Sequence, residues 1–182
     1  MKKILIAVIT TFLLNLSSEQ GNITKLNGID IWWESHGDIN NPTALLIMGL
    51  NSNSKVWSDK YIENLVVNNL HVLVFDNRDI GKSTWITEEP GLITFIKYLP
   101  NFLQVYFVEF IFGFIFDEEG KFNMENPAPA EYNLSDMAMD GIALLDHLEI
   151  SEAHIIGASM GGMIAQVMAL EHSDRVKSLT LF

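Results

Sequence analysis

Residues 153–166, AHIIGASMGGMIAQ, decide the fold. Ala153 to Ala158 is a short, apolar run that reads as a strand, and Met160 to Glu171 reads as a helix. Only Ser159 separates them. Gly157-Ala158-Ser159-Met160-Gly161 has the Gly-x-Ser-x-Gly form, and a serine on so tight a strand-to-helix turn is strained, with its hydroxyl pushed clear of the backbone. Gly157 and Gly161 stand where a β-carbon would crowd the turn, and Gly162 is expected to let the helix approach its neighbouring strand. The helix N-terminus directs free N–H groups and its positive end toward Ser159.

Working outward, the same strand-and-helix alternation recurs. Asn22 to Leu26 and Ile29 to Ser35 read as strands joined at Asn27-Gly28, a strong hairpin signal. Thr43 to Met48 and His71 to Phe75 are short continuous apolar runs, as expected of strands buried on both faces. Val56 to Asn69 has helical spacing, and so does Leu134 to Leu148, which Asn133 or Ser135 can cap. Val176 to Phe182 reads as one more strand. This is the pattern of an α/β fold, a mostly parallel sheet with helices on both faces. Residues 92–116 stand apart as an aromatic-rich insert, interrupted by Lys97, Pro100, Asn101, Gln104 and Glu109. Helices packed over the sheet and a substrate-facing lid are both compatible with it.

The 182 residues carry 23 acidic and 11 basic side chains, a net charge of −12. So acidic a chain repels nucleic acid and anionic lipid, so neither is an expected partner. The absence of cysteine excludes disulfides and thiolate metal sites. Lys2 and Lys3 precede an apolar run from Ile4 to Leu16, then Ser17 and Ser18, the order of a secretory signal over residues 1–18. The run is short for a bilayer span, so no stable membrane span is expected after its removal. The expectation is export to the periplasm or medium, and a cytoplasmic location if the leader is not cleaved.

Ester chemistry on Ser159 needs a second oxyanion donor besides the Met160 N–H. Parallel neighbouring strands end on one edge, so it should come from the loop after Thr43 to Met48. That loop begins Gly49-Leu50-Asn51-Ser52, and the Leu50 N–H is the candidate.

The strings ALLIMGLNSNSKVW, VLVFDNRDIGKST, YNLSDMAMDGIALLDHLEI and AHIIGASMGGMIAQVMALEHSDRVKSLTL resemble the α/β-hydrolase fold superfamily. They look closest to its esterase branch, near the proline iminopeptidases and the aclacinomycin methylesterase type. The resemblance covers about residues 23–182, apart from the 92–116 insert. It implies Ser159 as nucleophile, Leu50 and Met160 as oxyanion donors, a small-molecule acyl substrate, and no metal or organic cofactor. Met48 stands where many members have histidine.

The resemblance also implies a catalytic acid after the sixth or seventh strand and a histidine after the eighth, whereas this chain ends in about the sixth strand. The expectation is therefore an incomplete domain over residues 22–182, with its last strand an apolar open edge. Of the five histidines, His71 and His154 open strands, His147 and His172 close helices, and His36 precedes the third strand. All map to the edge opposite Ser159, with His154 about 16 Å away along its strand. Asp76, Asp79, Glu88 and Glu89 can face the active edge, but capping the loop or pairing with Arg78 is the favoured role. Asp136 and Asp140, at i, i+4, read as a solvated first turn of a helix. Three readings follow: a serine hydrolase of small esters acting through an acyl-enzyme, a truncated non-catalytic binding module, and another reaction on the same fold. A haloperoxidase or hydroxynitrile lyase exemplifies the last.

Overall fold

In the computed structural model Asn27 and Gly28 have φ of 49° and 86°, the two left-handed residues that a type I′ hairpin turn needs. They join β1 (Asn22–Leu26) to β2 (Ile29–His36) in an antiparallel pair. The structure describes residues 21–87, 103 and 130–182. The predicted leader, the 92–116 insert apart from Leu103, and Glu88 and Glu89 lie outside the described residues. The chain divides into two compact units, Met1–Trp85 with Tyr132–Phe182, and Ile86–Glu131. Every element named below belongs to the first.

After the hairpin come β3 (Thr43–Ile47), α1 (Asp59–Val67), β4 (His71–Phe75), α2 (Leu134–His147), β5 (Ala153–Gly157), α3 (Met160–Glu171) and β6 (Val176–Leu181). The six strands form one sheet in the order β1-β2-β4-β3-β5-β6. The β2–β4 pair is antiparallel, and β4–β3, β3–β5 and β5–β6 are parallel.

All five residues of β3 and all five of β4 are buried, because helices cover both faces. Alternate residues serve the two layers. Leu45, Ile47, Leu73, Phe75 and Ile155 pack with Met137, Leu144, Leu145, Ile164 and Met168 of α2 and α3. Ala44, Leu46, Val72, Val74 and Ile156 pack instead with Ile62 of α1. Fully burying each large side chain contributes about 1.5–3 kcal/mol, so this two-faced core holds the sheet edge that carries Ser159. Among the described residues no helix is long and apolar enough to cross a membrane.

The helix predicted from Val56 begins later. Ser54–Val56 is a 3-10 turn and Trp57 is extended, so α1 starts only after Ser58, whose hydroxyl accepts from the Tyr61 N–H. Asn133 caps α2 in a reciprocal capping box with Asp136.

One helix assignment needs correction. Asp140 was expected on a solvated turn, yet it is 1% exposed. Its carboxylate accepts from Arg78 Nε and Nη2, both at 2.8 Å, and from Asn27 Nδ2 at 3.3 Å. The loop after β4 folds over this face of α2, and Arg78, itself buried, supplies the compensating charge. Arg78 thus pairs with α2. Asp76 caps that loop, and the Asp79 carboxylate accepts from the Tyr132 hydroxyl at 2.6 Å. The hydrogen bond to Asp140, opposed by burial and then reinforced by the Asp140 charge, pushes the Arg78 guanidinium above its ordinary value. Burial first, then the hydrogen bond to Asp79, pushes the Tyr132 phenol well above its own.

Candidate active site

Ile47 at the end of β3 lies beside Gly157 at the end of β5, so both strands release the chain at one edge of the sheet. Ala158 donates its N–H to the Ile47 carbonyl at 3.0 Å. Ser159 then adopts φ 53°, ψ −124°, a conformation that strains any residue with a β-carbon by about 1–3 kcal/mol. Its backbone is held on all sides. The Ser159 N–H donates to the Phe182 carbonyl at 3.0 Å, and its carbonyl accepts from the Gly162 N–H at 2.8 Å. Its side chain makes no cap hydrogen bond to α3, and the residue is exposed. Among the described residues the hydroxyl has no hydrogen-bond partner, whereas the backbone on both sides of it is bonded.

Two glycines make the turn possible. A β-carbon on Gly157 would lie 2.6 Å from the Gly161 carbonyl carbon, and one on Gly161 would lie 2.7 Å from the Ile47 carbonyl carbon. Real β-carbons do not approach backbone so closely. Gly162 is different, because its nearest atoms, Gly157 O and Leu181 Cδ2, would be 3.5 and 3.6 Å away, an ordinary contact. The close helix-to-strand approach expected of Gly162 therefore falls to Gly161.

The loop after β3 lies alongside. A β-carbon on Gly49 would stand 2.9 Å from Ser159 Cβ and 3.3 Å from its Oγ. The Ser52 N–H donates to the Gly49 carbonyl at 3.3 Å, with Asn51 left-handed at φ 53°. This turn presents Leu50, which is 67% exposed. Among the described residues the N–H groups of Leu50 and Met160 have no acceptor. The first turn of α3 contains no acidic residue, so its positive end is not neutralised by a side chain of its own.

Two residues at the end of β4 support this loop, and the sequence reading assigned neither that role. The buried Asn77 donates Nδ2–H to the Met48 carbonyl at 2.9 Å. Asp76 accepts from both the N–H and the hydroxyl of Ser54 at 2.8 Å. On the other side Trp57 stacks on Tyr61 with centroids 5.5 Å apart, and the Phe182 ring meets both edge-on. Burial pushes the Tyr61 phenol above its ordinary 10.0.

The histidines sit elsewhere. His71 pairs in register with Thr43, His154 with Ala44, and His36 with Val72, all at the strand ends away from Ser159. His147 ends α2 and His172 follows α3. His71 is engaged by Ser35 Oγ at 2.7 Å and Thr43 Oγ1 at 3.0 Å, and His154 by Ser178 Oγ at 2.7 Å. Among the described residues no three His, Asp or Glu side chains are grouped to hold a metal ion.

Known proteins resemble this chain in sequence and in fold. The chain is 27% identical to rhodomycin D methylesterase DnrP of Streptomyces peucetius, over 84% of its length and 38% of the relative's. It is 25% identical to the putative carbamate hydrolase RutD of Pseudomonas syringae, over 77% of its length and 38% of the relative's. The chain spans about two fifths of the length of these curated relatives. Epoxide hydrolase A from Mycobacterium thermoresistibile superposes with a TM-score of 0.62 at 20% identity, covering 89% of this chain and 38% of that one; this likeness is of fold. The family model of the alpha/beta hydrolase fold matches residues 42–182, a span that takes in β3, the loop carrying Leu50 and the Ser159 turn. The chain belongs to the α/β-hydrolase fold family.

Proposed function

We propose that this chain carries the nucleophile and oxyanion hole of a serine hydrolase that cleaves small carboxylic esters or related acyl substrates. The observation that carries this reading is Ser159. Its backbone is strained at φ 53° while its side chain makes no cap hydrogen bond, and the unpartnered N–H groups of Leu50 and Met160 belong to the two backbone segments that flank it. Ser159 Oγ attacks the acyl carbon and gives its proton to a base. The carbonyl oxygen becomes an oxyanion, stabilised by the Leu50 and Met160 N–H groups and the positive end of α3. Collapse of this intermediate expels the alcohol, which takes up a proton, and leaves the acyl group on Ser159. Water then repeats the sequence and releases the acid. The base is none of the five histidines, because each lies at the far edge of the sheet or at the end of a helix leading back to it. Relatives named as a methylesterase and a carbamate hydrolase support an acyl substrate.

The test is ester hydrolysis by the full-length protein and its Ser159→Ala variant. Activity should fall about a thousandfold or more, and a fluorophosphonate should transfer its phosphonyl group to the peptide containing Ser159, with loss of fluoride as HF. Hydrolysis retained in Ser159→Ala would remove Ser159 from the reaction. The placement of the histidines favours one alternative, a module that binds acyl compounds without turning them over. In that case calorimetry would detect ester binding, while neither hydrolysis nor labelling of Ser159 would occur.

A further inference from the structure

We infer that Asn77 is a positioning residue for the oxyanion hole: its side-chain N–H holds the Met48 carbonyl so that the Leu50 N–H faces the acyl oxygen. The inference rests on the serine-hydrolase reading and adds to it a residue that touches neither substrate nor nucleophile.

Asn77 is 2% exposed and is the second residue after β4. Its Nδ2–H···O bond to Met48, at 2.9 Å, is wholly buried. Its Oδ1 is also buried and has no partner among the described residues. A buried amide oxygen without a hydrogen bond costs about 1–3 kcal/mol, so a side chain kept only for stability would be apolar here. What the amide does provide is a fixed anchor for one peptide plane. The same Met48 carbonyl oxygen lies 2.8 Å from where a Gly161 β-carbon would be, so it is held between Asn77 and the start of α3.

The next peptide is fixed from the other side. The Gly49 carbonyl accepts from the Ser52 N–H at 3.3 Å. In a trans peptide the N–H points opposite to the C=O, so the Leu50 N–H is directed away from the turn. Two residues beyond Ser52, the Ser54 N–H and hydroxyl are bound by Asp76. The consecutive residues Asp76 and Asn77 therefore pin the loop at both ends, 54 and 48. A donor that waits for an oxyanion must be held in place before the charge develops, because its value lies in needing no reorganisation.

The experiment compares the protein with its Asn77→Leu, Asn77→Asp and Ser159→Ala variants. It follows fluorophosphonate addition to Ser159 by mass spectrometry over a range of probe concentrations, with urea unfolding alongside. The phosphonyl oxygen occupies the oxyanion position, so the limiting labelling rate reports the Leu50 N–H. In Asn77→Leu that rate should fall about 10–100-fold, while the half-saturating probe concentration stays the same. Asn77→Asp, which sets a carboxylate oxygen against the Met48 carbonyl, should lose at least as much. A merely structural role would lower the urea midpoint and leave the limiting rate of the folded protein unchanged, and that result would overturn the inference. Absence of labelling in the unsubstituted full-length protein, which includes the base, would overturn the serine-hydrolase reading itself, and this inference with it.

Discussion

Ser159 keeps its left-handed φ because atoms around it leave no alternative, and the tightest of those constraints is at Gly161. A β-carbon there would enter the Ile47 carbonyl, which is backbone and cannot turn aside. Gly161→Ala should therefore lower stability by about 1–3 kcal/mol and move Ser159 off its position. Gly162→Ala, one residue on, meets only ordinary contacts and gains helix propensity, so it should be neutral or stabilising by up to about 1 kcal/mol. Urea midpoints of the two variants check the contrast. Both glycines stand out in the sequence, but their division of labour does not. It depends on which of two neighbouring positions faces β3, a difference of about 100° around the helix axis.

Among the elements, α2 shows where reading periodicity stops. Asp136 and Asp140 are one helical turn apart with the same chemistry, yet Asp136 closes a capping box and Asp140 is buried against Arg78. The i, i+4 spacing specifies a shared face; what covers that face is decided by the β4 loop, more than fifty residues earlier in the chain. Asp140→Ala would leave the Arg78 charge buried and unpaired, so it should cost about 3–5 kcal/mol. The double variant Arg78→Met, Asp140→Leu should recover most of that loss in urea unfolding. The strands are a simpler case. β1 and β4 have the limits expected of them, and the others differ by one residue at an end, since alternation and burial are local properties.

At the scale of the molecule, the two edges of the sheet have separate duties. The edge with Ser159 presents unbonded N–H groups, whereas the opposite edge ties strands together through His71, between the hydroxyls of Ser35 and Thr43. Burial holds the His71 imidazole below its ordinary value of 6.5, the nearby charge of Asp38 opposes this, and His36 adds to it. The unfolded chain thus takes up this proton more readily than the folded one. Stability from this group is complete above about pH 6.5 and declines as the pH falls through that value toward the lower folded one. Urea midpoints should drop between about pH 7 and pH 5, and His71→Gln should flatten that part of the profile.

The amino-acid sequence alone determined the class of fold, the turn carrying Ser159 and the loop carrying Leu50. Each depends on local pattern: apolar runs of strand length, glycines at fixed offsets, and a serine between a strand and a helix. It also placed the histidines away from Ser159, because chain direction in a parallel sheet follows from the order of elements. Only the tertiary structure decided that Asp140 is buried, that Gly161 makes the close contact, and that Asn77 reaches the Met48 carbonyl. These are contacts between segments far apart in the chain, or choices between adjacent positions, and both depend on how the elements pack. The spacing of residues along a single element carries no record of that packing.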